Sequence, residues 1–343
     1  MKTVDYIIVG QGIAGSCLAY FLLQQNQSVL VVDDGHKTAA TSIAAGLMDY
    51  ISGKRFAVSW QAQTLIPFAQ AFYKQLETEW NASFYIEQPS TRFFSNPTEE
   101  HYWQKKITQD YYKPFYDKPF TVSPIKELTG KNGVTIKGTS AIKPPIFLAR
   151  MRQFLREQDA LMETSFDVNQ CQIEPTIDWQ GIRAKKLIFA SGHHITKLPW
   201  TQQLPYRISK GETLSITCKN LQSIIANKGK WLVPMGTNKF KFGATYEWDD
   251  LAPKPTALGY NELTTFLKEW LTCDYQVDAV NGGVRCAVTD LRPLCGNLTH
   301  NIGVFSGMGS KGIMMAPYYA HQMAHFLCNG TELDTEVSME RFK

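Results

Sequence analysis

The sequence predicts an α/β fold in which a three-layer domain carries an inserted α+β domain built on a mainly antiparallel sheet. Three observations predict it: an apolar strand leads into a G-x-G-x-x-G turn, a second strand ends in an acid, and strand-rich segments interrupt the remaining α/β units. The turn is Gly10-Gln11-Gly12-Ile13-Ala14-Gly15, and the acid is Asp33. This order of elements is typical of Rossmann-like domains that bind a dinucleotide.

The residue types of the N-terminal turn suit a bound pyrophosphate. Gly10 permits the tight turn, Gly12 lets phosphates approach the backbone, and Gly15 lets the next helix pack on the sheet. The phosphates are then expected at a helix N-terminus, where free N–H groups and the helix dipole favour anions. Asp33, 23 positions after Gly10, is placed to accept ribose hydroxyls, and Asn26 is predicted as a left-handed helix cap. A glycine-rich turn of an ordinary α/β domain is the alternative.

Composition narrows the class of protein. With 343 residues, 44% hydrophobic and 19% charged, the chain is expected to be globular with two domains. Because Met1-Lys2-Thr3 leads directly into a core strand, and no apolar stretch has membrane-spanning length, a cytoplasmic protein is expected. Seven scattered cysteines without C-x-x-C spacing indicate reduced thiols and no metal site. The net charge of +4 predicts no nucleic-acid surface.

Helical and strand-like segments alternate along the chain. A helix is predicted over 60–80, and residues 83–131 are rich in aromatic residues without a long helical pattern. Helices are expected to begin at 145 and 313, and buried strands to cover 186–192 and 303–307. Strands at 213–217, 231–234 and 242–248 are assigned to the second domain. The predicted domains are residues 1–82, 141–204 and 283–343 for the cofactor, and 83–140 and 205–282 for the substrate.

Five separated motifs resemble one known family. They are the fingerprint ending at Asp33; Thr41-Ser42-Ile43-Ala44-Ala45-Gly46; Ala190-Ser191-Gly192; Gly283-Val284-Arg285 with Thr289-Asp290 and Pro293; and the turn from Gly307 to Pro317. In this order they resemble the flavoproteins that include glycine oxidase, D-amino acid oxidase and monomeric sarcosine oxidase. The resemblance implies FAD, bound in an extended form with its adenosine at Asp33 and its ring near Gly46 and 309–312.

The resemblance also implies a set of cofactor-binding residues spread over the chain. They are Gly10, Gly12, Ile13, Ala14, Gly15, Asp33, Asp34, Thr41, Ser42, Ala44, Ala45, Gly46, Val168, Ser191, Gly192, Arg285, Gly307, Gly309, Ser310, Lys311, Gly312 and Ile313. Backbone donors at 309–312 would stabilise a reduced flavin. Lys311 is either a further charge there or a solvated lysine. His193 and His194 are interpreted as exposed loop residues, and an approach to the flavin is the alternative.

Two residues are implied to be catalytic. Arg285 lies five positions before Asp290, where the glycine oxidase branch has the arginine that binds the substrate carboxylate, and a guanidinium suits that task. A structural salt bridge to Asp290 is the alternative. Trp231 lies where relatives place an aromatic over the substrate, although a buried sheet tryptophan is equally consistent. Gly283 stands where the sarcosine oxidase branch has its flavin-linking cysteine, so noncovalent FAD is expected.

The resemblance implies oxidation of a small amine-bearing carboxylate, such as glycine, sarcosine or a D-amino acid. Hydride transfer to flavin N5 would give an imine that hydrolyses, and O2 or another electron acceptor would reoxidise the flavin. One alternative is a flavoenzyme that oxidises the carboxymethylaminomethyl group of a tRNA wobble uridine. A second alternative is a non-catalytic flavin-binding subunit of a dehydrogenase complex.

Overall fold

The computed structural model describes residues 2–36 and 39–342. Its first half contains β1 (Lys2–Val9), α1 (Ile13–Gln24), β2 (Val29–Val32), α2 (Ala40–Ile43), β3 (Leu47–Met48), β4 (Ile51–Ser52), β5 (Ala57–Val58), α3 (Ala62–Glu79), β6 (Tyr85–Glu87), β7 (Ser90–Phe93), α4 (Pro97–Ile107), β8 (Tyr116–Phe120), β9 (Gly133–Ile136), β10 (Ser140–Ile142) and α5 (Pro144–Glu157). Its second half contains β11 (Leu161–Met162), β12 (Cys171–Gln172), β13 (Ile177–Trp179), β14 (Ile182–Phe189), β15 (Tyr206–Thr217), β16 (Ile225–Asn227), β17 (Trp231–Gly236), β18 (Lys239–Gly243), α6 (Ala257–Trp270), β19 (Gln276–Val288), β20 (Leu294–Asn297), β21 (Ile302–Ser306) and α7 (Gly312–Asn329).

The chain packs as two compact units. The first unit contains residues 1–42, 145–209 and 284–343, and the second contains 43–144 and 210–283. The sequence placed 43–82 with the first unit, but this segment packs with the second because β3 pairs with β10 and α3 contacts β6. The assignment of the units to cofactor and substrate stays a prediction.

The first unit is built on a sheet with a parallel centre. Strands β11, β2, β1, β14 and β21 lie side by side and parallel, while β20 and β13 add antiparallel neighbours. Helices α1 and α7 pack on each other. Asn26 after α1 adopts φ 57°, which confirms the predicted left-handed cap. The carboxyl ends of β1, β2, β14 and β21 therefore meet at one edge, where ligands bind in such sheets.

The second unit is built on an eight-stranded sheet in the order β19-β15-β18-β17-β16-β7-β9-β8. From β15 to β8 the neighbouring strands pair antiparallel, except β16 with β7, which are parallel. Helix α6 covers part of it, since Leu263, Leu267 and Trp270 form one apolar cluster with Leu214 and Phe242. The mainly antiparallel sheet expected for the inserted segments is confirmed.

Two local predictions were wrong. Residues 83–131 contain the 11-residue helix α4, although no long helix was expected there. The strand expected over 242–248 ends at Gly243. Several aromatic residues of 83–131 pack together, with Trp103, Tyr112 and Phe115 in one buried cluster that also contains Phe56. In the described part of the chain, no helix is long and apolar enough to cross a membrane.

Candidate functional site

The turn between β1 and α1 leaves the helix N-terminus without a side-chain cap. Gly10 has φ 102°, and a Cβ there would meet the Ala190 carbonyl oxygen at 2.8 Å. Gly12 occupies the N-cap, and the Ile13 N–H donates to Thr41 Oγ1 at 3.1 Å. Because no acidic residue lies in the first turn of α1, the positive end of the helix dipole is not neutralised locally. This end of the helix can hold an anion.

Asp33 is the best-connected acid at the carboxyl edge of the sheet. Its Oδ2 accepts the Gln11 N–H at 2.9 Å, and its Oδ1 accepts the N–H groups of Gly35 at 2.9 Å and His36 at 3.1 Å. Burial alone would raise the pKa of Asp33, but the hydrogen bonds and nearby cations lower it below 3.8. A carboxylate has about four acceptor positions, so Oδ2 keeps one for a ligand hydroxyl.

Arg152 is a buried partner of this acid that the sequence reasoning missed. Its Nη1 donates to Asp33 Oδ1 at 2.8 Å and to Gln11 Oε1 at 2.7 Å, and only 8% of the residue is exposed. A sequence signal existed, because Arg152 follows the buried residues Leu148 and Met151 on α5 at helical spacing. An arginine on an apolar helix face usually has a buried anionic partner.

A second helix begins beside α1. After β21 the chain turns through Gly307 at φ 76° and Gly309 at φ 54°, and α7 starts at Gly312. A Cβ on Gly312 would lie 3.0 Å from the Ile13 side chain, so a larger residue would require Ile13 to shift, and glycine favours this close approach of the two helix starts. Backbone N–H groups from two helices consequently point toward one region of the first unit.

One cleft of about 320 Å³ connects these features. Every residue that lines it belongs to the first unit. Predicted site residues along it are Gly10, Gly12, Ile13, Ala14, Asp33, Asp34, Thr41, Ser191, Gly192, Arg285, Gly307, Gly309 and Gly312. Lining residues that the sequence reasoning did not assign include His36, Thr164, Ser165, Phe166, His193, His194, Cys286, Ser306 and Met308. Ligand sites are usually about 300–1,000 Å³, so the volume of this cleft lies at the lower end of that range.

The other predicted site residues do not line this cleft. In the first unit these are Gly15, Ser42, Val168, Ser310, Lys311 and Ile313. Gly15 has a packing role, because a Cβ there would collide with the Gly10 carbonyl. In the second unit they are Ala44, Ala45, Gly46 and Trp231. Of these, Ala45 and Trp231 share one apolar cluster with Val233, so the structure brings these two together.

Arg285 is the arginine of the cleft. It is half-buried on β19, and an isolated bridge joins Ala287 of the same strand to Met308 of the glycine turn. Asp290, the alternative partner considered for Arg285, forms an ion pair with Arg341 at 2.9 Å and accepts the Arg292 N–H. Asp290 is thus held at the C-terminal segment, and the Arg285 strand borders the cleft.

Two titratable side chains that line the cleft, His193 and Cys286, are uncharged at neutral pH. Burial, with help from His194 and Lys197, lowers the pKa of His193 to about 4, so its imidazole is neutral. Burial raises the pKa of the Cys286 thiol to about 12, so it stays protonated. Among the described residues, no group of three or more His, Cys, Asp or Glu could hold a metal ion. Along the cleft, Arg285 is thus a cation and Asp33 a carboxylate, while His193 and Cys286 are neutral.

These elements define the class: an α/β protein with a dinucleotide site at the carboxyl edge of a parallel sheet. Residues 5–326 match the family model of FAD dependent oxidoreductases, and the chain belongs to that family. It is accordingly an oxidoreductase that uses FAD, and the predicted fold class is confirmed.

Three relatives are similar over nearly the whole chain. The tRNA 5-methylaminomethyl-2-thiouridine biosynthesis bifunctional protein MnmC of Marinobacter nauticus is 24% identical, over 95% of this chain and 56% of that protein. The chain thus spans little more than half of this relative. Glycine oxidase from Geobacillus kaustophilus has a TM-score of 0.80 at 18% identity, covering 97% of this chain and 96% of its own. Iminodiacetate oxidase from Chelativorans sp. BNC1 has a TM-score of 0.79 at 17% identity, covering 99% and 98%.

The residues of the first unit fit FAD. A side chain at Gly10 or Gly312 would meet neighbouring atoms at the two glycine turns, where the backbone must stay open for a ligand. Asp33 keeps one acceptor position for a ligand hydroxyl. The Ser191 hydroxyl, which lines the cleft, is buried without a hydrogen-bond partner among the described residues. Because an unpartnered buried hydroxyl is costly, a polar ligand group is expected against Ser191.

Proposed function

We propose that the chain oxidises a small primary or secondary amine that carries a carboxylate, of the glycine, sarcosine or D-amino acid type. One observation carries the proposal: Arg285 lines the same cleft as the dinucleotide fingerprint. A guanidinium can bind a carboxylate through two parallel hydrogen bonds and keeps its charge at any physiological pH. The names of the two structural relatives, glycine oxidase and iminodiacetate oxidase, refer to substrates of this chemistry.

The first unit offers a holding group for each polar part of the cofactor. Oδ2 of Asp33 would accept a ribose hydroxyl, and the N-terminus of α1 would hold the pyrophosphate. Backbone donors of 309–312 would face the ring. When bound, FAD supplies the two-electron acceptor for C–N oxidation. We propose noncovalent binding, because Cys286, which lines the cleft, stays a protonated thiol.

The chain's own residues would bind and orient the amine. Arg285 would hold the carboxylate, and the imidazole of His193, which lines the same cleft, would stay neutral. Trp231, which belongs to the second unit, stays a predicted aromatic residue for the substrate. Desolvation in such a site favours the neutral amine, which is the form that can be oxidised. Orientation of this kind contributes as much as roughly 7–11 kcal/mol to a barrier reduction.

The test is anaerobic reduction of the purified flavoprotein, followed by the visible flavin band. The substrate panel is glycine, sarcosine, iminodiacetate, D-alanine and D-proline. Arg285→Ala should raise KM for the reducing substrate about 100-fold, as expected for the loss of roughly 3 kcal/mol of charge-assisted hydrogen bonding. Arg285→Lys should be intermediate, because a lysine cannot form the paired contact.

Arg183→Ala is the matched control for these variants. Arg183 is an exposed arginine of the first unit that pairs with Asp178 at 3.5 Å, so its loss should leave KM unchanged. An unchanged KM for Arg285→Ala would contradict the carboxylate role. Failure of every amine in the panel to bleach a normally loaded flavin would overturn the small-amine substrate class and favour the tRNA-type substrate or a non-catalytic flavin-binding subunit.

A second candidate is favoured by the similarity to the tRNA biosynthesis protein over 95% of this chain. In that case the amine would be the carboxymethylaminomethyl group of a wobble uridine, and the same arginine would bind its carboxylate. The discriminating measurement adds tRNA bearing that group to the anaerobic assay. Faster reduction by the tRNA than by every free amino acid would establish this candidate in place of the first.

A further inference from the structure

Two cysteines of the second unit face each other across a packed core. The Sγ atoms of Cys218 and Cys273 lie 3.0 Å apart, although the residues are 55 positions apart in the chain. Both are free thiols in the structure. Because an S–S bond is about 2.05 Å long, a shift of roughly 1 Å between the sulfur atoms would be enough to join them. This proximity was not evident from the sequence, where the seven cysteines are scattered.

The two thiols differ in their access to solvent. Cys218 is completely buried in the cluster that contains Leu214 and Leu263. Cys273 is only partly buried, and it lines a surface cleft together with Tyr260 and Asp274. A small solute can therefore reach Cys273 from this cleft, while Cys218 lies behind it.

We propose that Cys218 and Cys273 are an oxidation site that closes to a disulfide when the protein meets hydrogen peroxide. In the first step the Cys273 sulfur attacks one peroxide oxygen, which gives a sulfenic acid and releases water. In the second step the Cys218 sulfur attacks the Cys273 sulfur, the S–O bond breaks, and a second water leaves. In sum, two thiols are oxidised to one disulfide, and one peroxide is reduced to two waters.

The structure favours disulfide formation through the proximity of the two sulfur atoms and not through an activated thiolate. Burial, together with the neighbouring Cys218 thiol, raises the pKa of Cys273 to about 12. At neutral pH the Cys273 thiol is protonated, and its reaction with peroxide is expected to be slow. Once the sulfenic acid has formed, a thiol within van der Waals contact closes the bridge faster than an external thiol can reach it.

The bridge would reinforce a strand junction that side chains already connect. Cys218 directly follows β15, and Cys273 precedes β19, which is its neighbour in the sheet. Thr217 Oγ1 donates to Asp278 Oδ2 at 2.7 Å across the same pair of strands. A disulfide here closes a loop of more than fifty residues, and long loops are the ones whose closure stabilises most.

The experiment exposes the FAD-loaded protein to hydrogen peroxide, blocks the remaining thiols by alkylation, and maps the cysteines by mass spectrometry without reduction. We expect the loss of two alkylatable thiols, one peptide pair joined through Cys218 and Cys273, and a melting temperature higher by about 5 °C. Dithiothreitol should reverse all three changes. The prediction does not depend on the substrate of the enzyme.

Two variants sharpen the measurement. Cys218→Ser should abolish the linked peptide and leave Cys273 as a sulfenic acid that dimedone traps. Cys171→Ser, which removes a partly exposed cysteine of the first unit, should still form the bridge. The proposal is overturned if the wild-type protein retains both thiols while other cysteines oxidise, or if Cys273 oxidises without forming the bridge. The cysteine map of the wild-type protein tests the proposal even if a variant fails to fold.

Discussion

Replacement of Arg152 by methionine tests whether the acid of the dinucleotide site depends on its buried cation. Methionine keeps the length of the side chain and fills the apolar helix face, but it removes the donors to Asp33 and Gln11. The carboxylate of Asp33 would then remain buried without its ion-pair partner. The change leaves the glycine turn itself intact.

The loss of stability expected for Arg152→Met depends on the hydrogen-bond donors that Asp33 retains. Breaking a buried ion pair by removing one partner usually costs about 3–5 kcal/mol. Asp33 retains three backbone N–H donors, from Gln11, Gly35 and His36, so the lower end of this range applies. A loss of about 3 kcal/mol corresponds to a decrease of about 4 °C in the melting temperature of a chain of this size.

The ion pair also contributes to the acid side of the stability curve. The folded pKa of Asp33 lies below its ordinary value of 3.8. The stabilisation is therefore present above pH 3.8 and is lost as the pH falls through the folded pKa. In Arg152→Met the free energy of unfolding should depend less steeply on pH in that acid range.

The assay is unfolding in urea and by heat at pH 7, followed by circular dichroism at matched FAD saturation. Arg156→Met is the control, because this exposed arginine pairs with Glu163 at 2.6 Å, as Arg152 does at 3.1 Å, and should cost less than about 1 kcal/mol. Adding Asp33→Asn should recover part of the loss, since the unpaired charge disappears. Equal costs for the two arginine variants would refute the reasoning.

Two further predictions concern a buried lysine and the fingerprint. Burial lowers the pKa of Lys241 from 10.5 to about 8, so its contribution should raise the free energy of unfolding between about pH 8 and 10.5 by an amount on the order of 3 kcal/mol. Lys241→Met should remove this rise in a urea series across pH, and an unchanged profile would disprove the assignment. Gly10→Ala should weaken FAD binding at least tenfold by absorbance titration, because its Cβ would meet the Ala190 carbonyl oxygen. Gly35→Ala is the control, because Gly35 is also at positive φ but an added Cβ there would have no atom within 4 Å. An equal loss of FAD affinity in both variants would show that backbone strain alone, without the Ala190 clash, weakens binding.

Local signals explain both the successes and the errors of the sequence-based fold. The α1 helix and its left-handed Asn26 cap followed from periodicity and residue type. Helix α4 was missed although its signals were present: Asn96 caps the N-terminus by accepting the Glu99 N–H, proline follows at N1, and lysines occupy the last turn. Its apolar periodicity is weak because only Trp103 and Glu99 are buried, so a search for apolar stripes overlooked it.

The residues of the cofactor cleft were predictable to different degrees. Glycines at strand-to-helix turns have a conformational reason that can be inferred from spacing, and the turns at Gly10 and Gly309 both line one cleft. His36 and Phe166 line that cleft without any motif. Their participation depends on where loops fold back over the sheet edge, and no local pattern encodes that path.

The sequence by itself determined the class of this protein, because backbone geometry demands glycine at particular turns and an acid at the end of the second strand. It also determined that the chain alternates between parallel α/β and antiparallel segments. Only the tertiary structure decided that segment 43–82 packs with the second unit, that Arg152 neutralises Asp33, and that Cys218 lies against Cys273. These are contacts between residues far apart in the chain, and they depend on the packing of whole elements rather than on local conformational preference.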